Sequence, residues 1–341
     1  MKAVCYDHPR DHYVADLPDP EPGPGEVRLA VRVTGVCGTD LHLHEGEFGP
    51  AYPLIPGHEV VGEVVELGDG VTGLATGQLV AVDNMVPCGG CDNCQRARPG
   101  FCRTLRAFGV NAPGGFAEYL VAPATFCHAV DDLDLDTAVL AEPLSCAVHG
   151  IDVLGLQQGS DVLLLGAGPT GLLLAQVLRS AGAGRITVAS STPFKLDLAR
   201  AHGADETITA RLTADAASAA PLRAGAPDGY DVVIDATGSV DAMGQGLTLL
   251  RTGGTMLVYG MAAEQARLPV NPYDVFRREL TVKGSFARNF GYDFARAVLM
   301  LRTGRVRSEG FVTHRFGLGA YDAALRAVGS DTQCLKAVLQ P

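Results

Sequence analysis

The sequence lacks the long apolar stretches that mark membrane and secreted proteins. No run of eighteen apolar residues occurs, and the longest candidates are interrupted by Gly166, Gly168 and Gly171. The first residues, from Met1 to Tyr6, contain neither the apolar core nor the cleavage site of a signal peptide. We therefore expect a soluble protein of a reducing compartment, which predicts a cytoplasmic location and no membrane partner.

Positive charge is also scarce. The chain has 27 Lys and Arg residues against 38 Asp and Glu residues, a formal net charge of −11. Nucleic acids and anionic membranes attract basic surfaces, so this balance argues against either as the main partner. It disfavours a zinc-bearing nucleic-acid-binding module, which a cysteine cluster alone would allow. The 341 residues, 47% of them hydrophobic, are enough for two domains with separate cores.

Four of the nine cysteines are closely spaced. Cys88, Cys91 and Cys94 follow a C-x2-C-x2-C pattern, and Cys102 comes eight positions later. Four thiolates can surround one tetrahedral zinc ion, and the glycines after the first cysteine allow the tight turn that this requires. Two disulfides or four unused thiols are the alternatives, but close spacing in a cytosolic chain is typical of a metal site. The pattern predicts a structural zinc lobe at about residues 86–104.

The pattern of turns and apolar residues changes near Gly159. Before this point, short alternating segments with frequent turn signals predict a β-rich, barrel-like domain. From Gly159 onward, strand and helix patterns alternate, which is typical of βαβ units on a parallel sheet covered on both faces. The predicted fold class is therefore α/β, with a β-barrel domain beside a doubly wound parallel sheet.

The individual elements follow from the same patterns. The predicted strands are 27–36, 60–67, 116–121, 161–165, 185–189, 231–235, 255–258, 280–284, a strand near Val312 and a last strand through Val338. The predicted helices are a helical region at 133–153, then 170–181, 193–202, 240–250, 292–303 and one before the last strand.

A glycine-rich turn follows the apolar residues 162–165 and opens a helix. In Gly166-Ala-Gly168-Pro169-Thr170-Gly171, the first glycine permits a sharp turn and the second lets the backbone approach a pyrophosphate. Gly171 allows close packing of the helix on the strand. Pro169 suits the first helical turn, whose free amides can bind a diphosphate. The candidate cofactor-binding residues are Gly166, Gly168, Pro169, Thr170 and Gly171, and the alternative is a glycine turn without a ligand.

The end of the second predicted strand of this region lacks an acid. An acidic residue there would bind the ribose hydroxyls of NAD and would repel a 2′-phosphate. Here the chain has Ser190 and Ser191, with Lys195 one turn further on. These three side chains can bind a phosphate, so the sequence favours NADP over NAD as the cofactor.

Residues of metal-binding type recur outside the cysteine lobe. Cys37 follows the strand 27–36, and His58 and Glu59 open another strand twenty-one positions later. A thiolate, an imidazole and a carboxylate form a plausible zinc set that leaves one position open for a substrate. Glu142 precedes Pro143 at the start of a later helix, an unusual place for a surface charge. Each residue alone could be an ordinary core or surface residue, but together they predict a second metal site.

These motifs together resemble those of the zinc-dependent medium-chain alcohol dehydrogenase family, over essentially the whole chain. The matching segments are 35–40, 57–62, the cysteine lobe and 166–171. Glu59 and Glu142 look more like the polyol and threonine dehydrogenase branch than the animal ethanol branch. The resemblance implies a GroES-like catalytic domain from residues 1–150 and 286–341, a Rossmann domain from residues 151–285, and a homodimer or homotetramer.

The resemblance also implies roles for individual residues and two zinc ions per chain. The residues implied to bind the catalytic zinc are Cys37, His58 and Glu59, with Glu142 as a fourth ligand or as the partner of a zinc-bound water. Thr39 would accept the hydrogen bond of the substrate hydroxyl. His42, or Glu142, would carry the proton outward. The implied reaction is reversible hydride transfer between a secondary alcohol and a nicotinamide cofactor.

The substrate is predicted from the polar character of two segments. Residues 40–46 lie beside the predicted metal, and Phe286, Arg288 and Asn289 follow the strand 280–284. These groups suit a small-molecule polyol, a ketose or a cyclitol better than ethanol. The alternatives are an L-threonine 3-dehydrogenase-like enzyme, a general alcohol dehydrogenase, or a catalytically inactive homologue.

Overall fold

The chain folds into two compact units. The computed structural model describes residues 1–288 and 291–341, so the predicted substrate-contacting residue Asn289 lies outside the described residues. The first unit contains Met1–Ser145 and Asn289–Pro341, and the second contains Cys146–Arg288. The first unit is thus assembled from both ends of the chain.

The strands and helices are numbered along the chain. The strands are β1 (Lys2–His8), β2 (Asp11–Asp16), β3 (Glu26–Val36), β4 (Glu59–Leu67), β5 (Leu79–Val82), β6 (Met85–Val86), β7 (Arg106–Ala107), β8 (Tyr119–Pro123), β9 (Cys127–Ala129), β10 (Asp161–Leu165), β11 (Arg185–Ser190), β12 (Glu206–Thr209), β13 (Tyr230–Asp235), β14 (Leu250–Val258), β15 (Thr281–Gly284), β16 (Val312–Phe316) and β17 (Lys336–Leu339). The α-helices are α1 (Gly38–His44), α2 (Asp92–Gln95), α3 (Leu135–Ala138), α4 (Ala141–Leu154), α5 (Pro169–Ala181), α6 (Pro193–Ala201), α7 (Ala220–Gly225), α8 (Val240–Leu249), α9 (Pro272–Arg278), α10 (Tyr292–Arg302) and α11 (Tyr321–Ser330).

The first unit is built on one large β-sheet. Its strands follow the order β16-β17-β3-β4-β5-β9, and β8 also pairs with β3. Two small hairpin-like sheets, β1-β2 and β6-β7, accompany it. In β3 the alternate side chains Val27, Leu29 and Val31 are buried, because successive residues of a strand point to opposite faces. One face of the central strand β3 thereby packs into the core.

The predicted helical region 133–153 is divided into two helices. α3 ends at Ala138 and α4 begins at Ala141. Pro143 accounts for the break, because proline has no amide hydrogen for the carbonyl four residues earlier and its ring collides with that carbonyl. The stretch Leu135–Leu154 has the length and hydropathy of a membrane span, but 72% of its most apolar segment of 18 residues is buried inside the protein. The buried core helix of a globular protein has the same length and hydropathy.

The second unit is an open parallel sheet with the strand order β12-β11-β10-β13-β14-β15. All five strand pairs are parallel. The chain winds outward from β10 in one direction and from β13 in the other, so the strand order reverses between these two neighbours. The predicted doubly wound parallel sheet is confirmed, and ligands of such sheets bind beyond the carboxyl ends of the strands at the point of reversal.

Several predicted boundaries are wrong. The strand predicted at 116–121 is observed at Tyr119–Pro123, because Phe116 instead bonds through its carbonyl oxygen to the amide of Val4 at 2.9 Å. The strand predicted at 255–258 begins at Leu250. The hairpin of β1 and β2 was not predicted, because its outer strand β2 is mostly exposed and carries no apolar alternation.

Candidate metal and dinucleotide sites

The four cysteines of the predicted lobe converge on one point. The sulfur atoms of Cys88, Cys91, Cys94 and Cys102 all lie within 4.8 Å of one another. The Sγ of Cys91 is 3.5 Å from that of Cys94 and 3.9 Å from that of Cys102. A zinc ion with four tetrahedral sulfurs at about 2.3 Å holds those sulfurs roughly 3.8 Å apart. The spacing of the thiols therefore fits a single zinc ion.

The thiols of this lobe differ in their proton affinity. The side chain of Thr104 and the backbone amides of Gly90 and Cys91 lower the pKa of Cys88 to about 6. Desolvation raises the pKa of Cys94 to about 12. Because zinc binds thiolates, binding of the ion would release protons from the thiols that remain protonated near neutral pH.

Strand pairing brings the second set of metal-binding residues together. In the antiparallel pair of β3 and β4, Gly35 lies opposite Glu59. Cys37 follows Gly35 by two residues and His58 precedes Glu59 by one, so both lie at the same end of the pair. The Cys37 Sγ is 3.1 Å from the His58 Nε2. The ligand atoms of Cys37, His58 and Glu59 all lie within 4.8 Å of one another, as one bound ion requires.

Cys37 is held by the first turn of α1. Its thiol accepts a hydrogen bond from the amide of Thr39 at 3.3 Å, and its own amide donates to the Asp40 carboxylate at 2.9 Å. This reciprocal pattern is a capping box with cysteine at the N-cap. The other carboxylate oxygen of Asp40 lies 3.6 Å from the His58 Nδ1. One fully buried acid thus fixes the helix start and lies beside the imidazole.

Glu59 has a buried partner that the sequence motifs did not reveal. Its carboxylate forms an ion pair with the Lys336 ammonium, and each side chain is 2% exposed. A side chain at Gly35 would overlap the Glu59 carboxylate and crowd Lys336, so this position requires glycine. The available signal was a single lysine between Leu335 and Ala337, at the start of the otherwise apolar strand β17. Sequence reasoning missed it because no metal-site spacing includes it.

The buried charges of this cluster act on one another. Burial lowers the pKa of His58, but the neighbouring Cys37 and Asp40 raise it well above its usual value. Burial likewise disfavours the charged form of Lys336, whereas Glu59 raises its pKa, so the ammonium stays charged. A dication at the three ligand atoms would stabilise the ionised thiol and carboxylate. The donor set therefore fits zinc.

Glu142 lies in the first turn of α4 and is 9% exposed. Its carboxylate is not part of the group formed by Cys37, His58 and Glu59 within 4.8 Å. Its charge nevertheless contributes to the raised pKa values of His58 and Lys336. The structure thus places Glu142 near the three residues without including it among them.

Thr39 and His42 occupy neighbouring positions on α1. Residues three apart in a helix lie on the same face, so Thr39 and His42 share one face of the helix that begins directly after Cys37. Thr39 is half-buried. The His42 Nδ1 lies 2.5 Å from the Glu47 carboxylate, and the His42 side chain is 26% exposed. His42 is thus oriented by Glu47 and remains accessible to solvent.

The glycine-rich turn has the geometry that a diphosphate needs. Gly166 adopts a φ of 107°, a value that side chains rarely allow. A Cβ at Gly171 would overlap the carbonyl oxygen of Gly166, which shows how closely α5 approaches β10. A Cβ at Gly168 would meet nothing within 4 Å. Space therefore remains at Gly168, where the backbone must approach a ligand.

The start of α5 leaves amide groups free for an anion. Gly168 is the N-cap and has no side chain to accept their hydrogen bonds, and Pro169 opens the first turn. Free amides at a helix start, together with the helix dipole, bind phosphate groups. Thr170 is half-buried beside them. The turn and the helix start together fit a dinucleotide diphosphate.

The residues predicted to select the cofactor lie at the carboxyl end of β11. Ser190 ends the strand, and its hydroxyl accepts the amide of Thr192 at 3.3 Å. Ser191 is exposed and Lys195 is half-buried in the first turn of α6. A serine thus occupies the strand end where an acid would bind the ribose of NAD.

Two of the predicted substrate-contacting residues are described. Phe286 is 46% exposed, whereas Arg288 is 1% exposed. The Arg288 guanidinium lies 3.4 Å from the Cys146 sulfur within the second unit. Arg288 is therefore a buried residue in this unit.

Both parts of the chain match known protein families. Residues 23–132 match the family described as alcohol dehydrogenase GroES-like domain, and residues 169–302 match the family described as zinc-binding dehydrogenase. The two matches cover the candidate metal residues Cys37, His58 and Glu59, the cysteine lobe and the last three residues of the glycine-rich turn, Pro169 to Gly171. The predicted GroES-like and Rossmann architecture is thereby confirmed.

Curated relatives align with nearly the whole chain. D-arabinitol dehydrogenase 1 of Uromyces fabae is 42% identical over 100% of this chain and 97% of its own length. D-altritol 5-dehydrogenase of Agrobacterium fabrum is 36% identical over 93% of each chain. L-threonine 3-dehydrogenase of Streptomyces avermitilis is 34% identical, also over 93% of each chain. These relatives are dehydrogenases of different substrates.

Solved structures share the fold along the full length. A zinc-binding dehydrogenase of Sinorhizobium meliloti 1021, solved with NADP bound, superposes with a TM-score of 0.92 and 33% sequence identity over 100% of this chain and 99% of the other. The identity with the curated relatives is high enough over the full length to show common ancestry. This chain therefore belongs to the zinc-dependent medium-chain alcohol dehydrogenase family, and it is a nicotinamide-dependent oxidoreductase.

Proposed function

We propose that the protein oxidises a secondary hydroxyl of a polyol to a ketone, reversibly, with NADP as the hydride acceptor. The observation that carries this proposal is the convergence of the half-buried Cys37 with the buried His58 and Glu59, which brings one thiolate, one imidazole and one carboxylate to one point. Such a set can bind zinc and leave a position for the substrate oxygen. The relatives that act on arabinitol and altritol support the choice of an open-chain polyol.

We assign the catalytic zinc to Cys37, His58 and Glu59, and a structural zinc to Cys88, Cys91, Cys94 and Cys102. A catalytic zinc supplies Lewis-acid polarisation of a substrate oxygen, which lowers the pKa of the hydroxyl. The four-thiol site offers no open position and therefore serves the fold of the lobe. The proposal thus requires two zinc ions per chain, one in each cluster of the first unit.

The residues around the metal ligands would handle the proton of the substrate hydroxyl. Thr39, in the first turn of α1, offers a hydroxyl that accepts the hydrogen bond of this proton. His42 lies on the same helix face, is partly exposed and is oriented by Glu47, so it can pass the proton to solvent. Glu142 is the second candidate carrier, because its buried carboxylate lies near the cluster. Residues 1–150 and 286–341 would form the catalytic domain, and residues 151–285 the dinucleotide-binding domain.

The cofactor proposal rests on the carboxyl end of β11. Ser190, Ser191 and Lys195 offer two hydroxyls and an ammonium and no negative charge there. A 2′-phosphate is accepted where an acid is missing and hydrogen-bond donors are present. The zinc-binding dehydrogenase of Sinorhizobium meliloti, a relative of this chain, was solved with NADP. NADP is therefore proposed as the preferred cofactor and NAD as the weaker one.

We also propose that the protein is a homo-oligomer of the cytoplasm. None of the nine cysteines is joined to another by a disulfide, as expected in a reducing compartment. β15 ends its sheet, and among the described residues no strand pairs with its outer edge. Val282 on β15 itself is 46% exposed, and on α9, which precedes β15 in the chain, Tyr273 is 69% and Phe276 is 76% exposed. An open strand edge with an exposed apolar side chain suits antiparallel pairing with a second copy, as a dimer or within a tetramer.

A substrate panel tests the proposed reaction. We expect arabinitol, altritol and sorbitol to be oxidised with a kcat/KM at least about tenfold above that for ethanol or L-threonine, because polar groups rather than an apolar slot surround the metal. The assay follows reduction of NADP and of NAD side by side at 340 nm. Turnover of L-threonine alone would establish the threonine dehydrogenase alternative instead, and no turnover of any alcohol would refute the proposal.

The Cys37→Ala variant tests the assignment of the catalytic metal. We expect its zinc content, measured by atomic emission, to fall from about two ions per chain to about one, with loss of more than about 99.9% of the activity, because the remaining two ligands hold zinc weakly. The matched control is Cys5→Ala, a buried cysteine outside both clusters, which should retain both ions and normal turnover. Normal activity of Cys37→Ala would contradict the assignment.

The Ser190→Asp variant tests the cofactor preference. The new carboxylate would repel the 2′-phosphate and accept hydrogen bonds from the ribose hydroxyls, so the ratio of kcat/KM for NADP to that for NAD should fall at least about tenfold. Ser190→Ala is the control, since it removes the hydroxyl without adding charge and should change the ratio less than about threefold. An unchanged ratio in Ser190→Asp would place the 2′-phosphate elsewhere.

The Val282→Asp variant tests the oligomer interface. A charge on the open edge strand should convert the oligomer to smaller species in sedimentation velocity at micromolar concentration, because a buried unpaired carboxylate disfavours strand pairing. Leu299→Asp serves as the control, because Leu299 is 58% exposed on α10 of the other unit. Retention of the wild-type sedimentation coefficient by Val282→Asp would rule out this edge as the interface.

A further inference from the structure

We infer that Asp235 and Thr237 are positioning residues for the dinucleotide, because they hold the loop after β13 against the glycine-rich turn. This inference rests on the proposed function in assuming that the turn binds a dinucleotide. The two residues belong to none of the motifs that identify the family here. Asp235 ends β13 and Thr237 lies in the loop after it; β13 neighbours β10 at the point where the strand order reverses.

Asp235 is the last residue of β13 and is fully buried. Its carboxylate accepts three hydrogen bonds from its own loop: the amide of Thr237 at 3.1 Å, the hydroxyl of Thr237 at 2.5 Å and the amide of Gly238 at 3.0 Å. A buried carboxylate is tolerated only when its oxygens are satisfied in this way. The carboxylate therefore fixes the backbone of the loop over three residues.

The backbone of Asp235 ties in the next loop as well. Its carbonyl oxygen accepts hydrogen bonds from the amides of two residues that follow β14, Tyr259 at 3.1 Å and Gly260 at 2.8 Å. A Cβ at Gly260 would lie 2.8 Å from the Asp235 carboxylate, so the two loops are in direct contact. Asp235 thus joins the carboxyl ends of two neighbouring strands.

The same loop contacts the glycine-rich turn. The register places Asp235 opposite Leu165, and the amide of Ala236 donates to the carbonyl of Leu165 at 2.9 Å. Leu165 is followed directly by Gly166. A Cβ at Gly166 would lie 2.9 Å from the Cγ2 of Thr237, so the threonine methyl packs on the turn at its most constrained residue. The positive φ of Gly166 is thereby supported from the β13 side.

Chemistry at the crevice follows from this support. The backbone amides of the turn that would bind the diphosphate do so only when they point at it together. Each departure from that geometry weakens binding. Thr237 keeps the turn in place through its methyl group, while its hydroxyl is held by Asp235. The residues act through the turn, and we assign them no contact with the reacting atoms.

The Asp235→Asn variant tests this inference. The carboxamide keeps the shape but presents an NH₂ group to one of three donors, so one buried hydrogen bond is lost. We expect the Kd of NADPH to rise about tenfold and the KM for NADP to rise in parallel, with kcat at saturating cofactor changed less than about twofold. Binding is measured directly by the fluorescence of the reduced nicotinamide, since the chain contains no tryptophan.

A control separates positioning from loss of stability. Tyr230→Phe removes a buried hydrogen bond, from the tyrosine hydroxyl to the Leu222 carbonyl at 3.2 Å, at the opposite end of the same strand. It should lower the thermal midpoint while leaving the Kd within about twofold of wild type. Equal weakening of NADPH binding by Tyr230→Phe and Asp235→Asn would show a structural role alone and would overturn the inference.

Two further variants divide the contribution of Thr237. Thr237→Ser keeps the hydroxyl and removes the methyl group on Gly166, and Thr237→Val does the reverse. We expect each to raise the Kd of NADPH about threefold, which gives a second reading if Asp235→Asn does not fold. If the wild type binds NADPH and both variants bind it equally tightly, this inference alone is overturned. If the wild type binds neither NADPH nor NADH, the proposed function is overturned with it.

Discussion

The hydrogen-bond register of β3 is the constraint on which the candidate metal centre depends. Gly35 lies opposite Glu59 on one side and opposite Val338 on the other. This arrangement brings Cys37, His58 and Lys336 to one end of three adjacent strands, although they are distant in sequence. A slip of one residue would turn the side chains of a strand to the opposite face and separate the three ligand atoms. The buried core on the same strands resists such a slip.

The charges at this strand end form a coupled group. Lys336 and Glu59 are both 2% exposed, and removing one partner of such a buried pair generally costs about 3–5 kcal/mol, because the other charge is left uncompensated. A metal ion would share the Glu59 carboxylate with Lys336. The ammonium would then weaken the bond from Glu59 to the ion, while the Asp40 carboxylate lies beside the His58 imidazole. The candidate metal centre is thus inseparable from the packing of the first unit.

Much of the candidate site was predictable because its motifs are local. The cysteine lobe spans fifteen positions from Cys88 to Cys102, and the glycine-rich turn spans six from Gly166 to Gly171. The parallel sheet was also predictable, because apolar strand segments alternate with helical ones. Strand ends were less accurate: β8 is shifted towards Pro123 and β14 begins five residues before the predicted start. Backbone partners decide such boundaries, and they are not visible in a single segment.

The sequence by itself determined the family, the two cysteine-containing clusters as candidate zinc sites and the glycine-rich turn as a candidate dinucleotide site. Residue type and short spacing are sufficient for each of these, because the groups are close along the chain or follow a strand in a fixed way. Only the tertiary structure decided that Lys336 neutralises Glu59 and that Asp235 holds the loop beside Gly166. These contacts join residues that are far apart in sequence, and strand register, which depends on the whole sheet, brings them together.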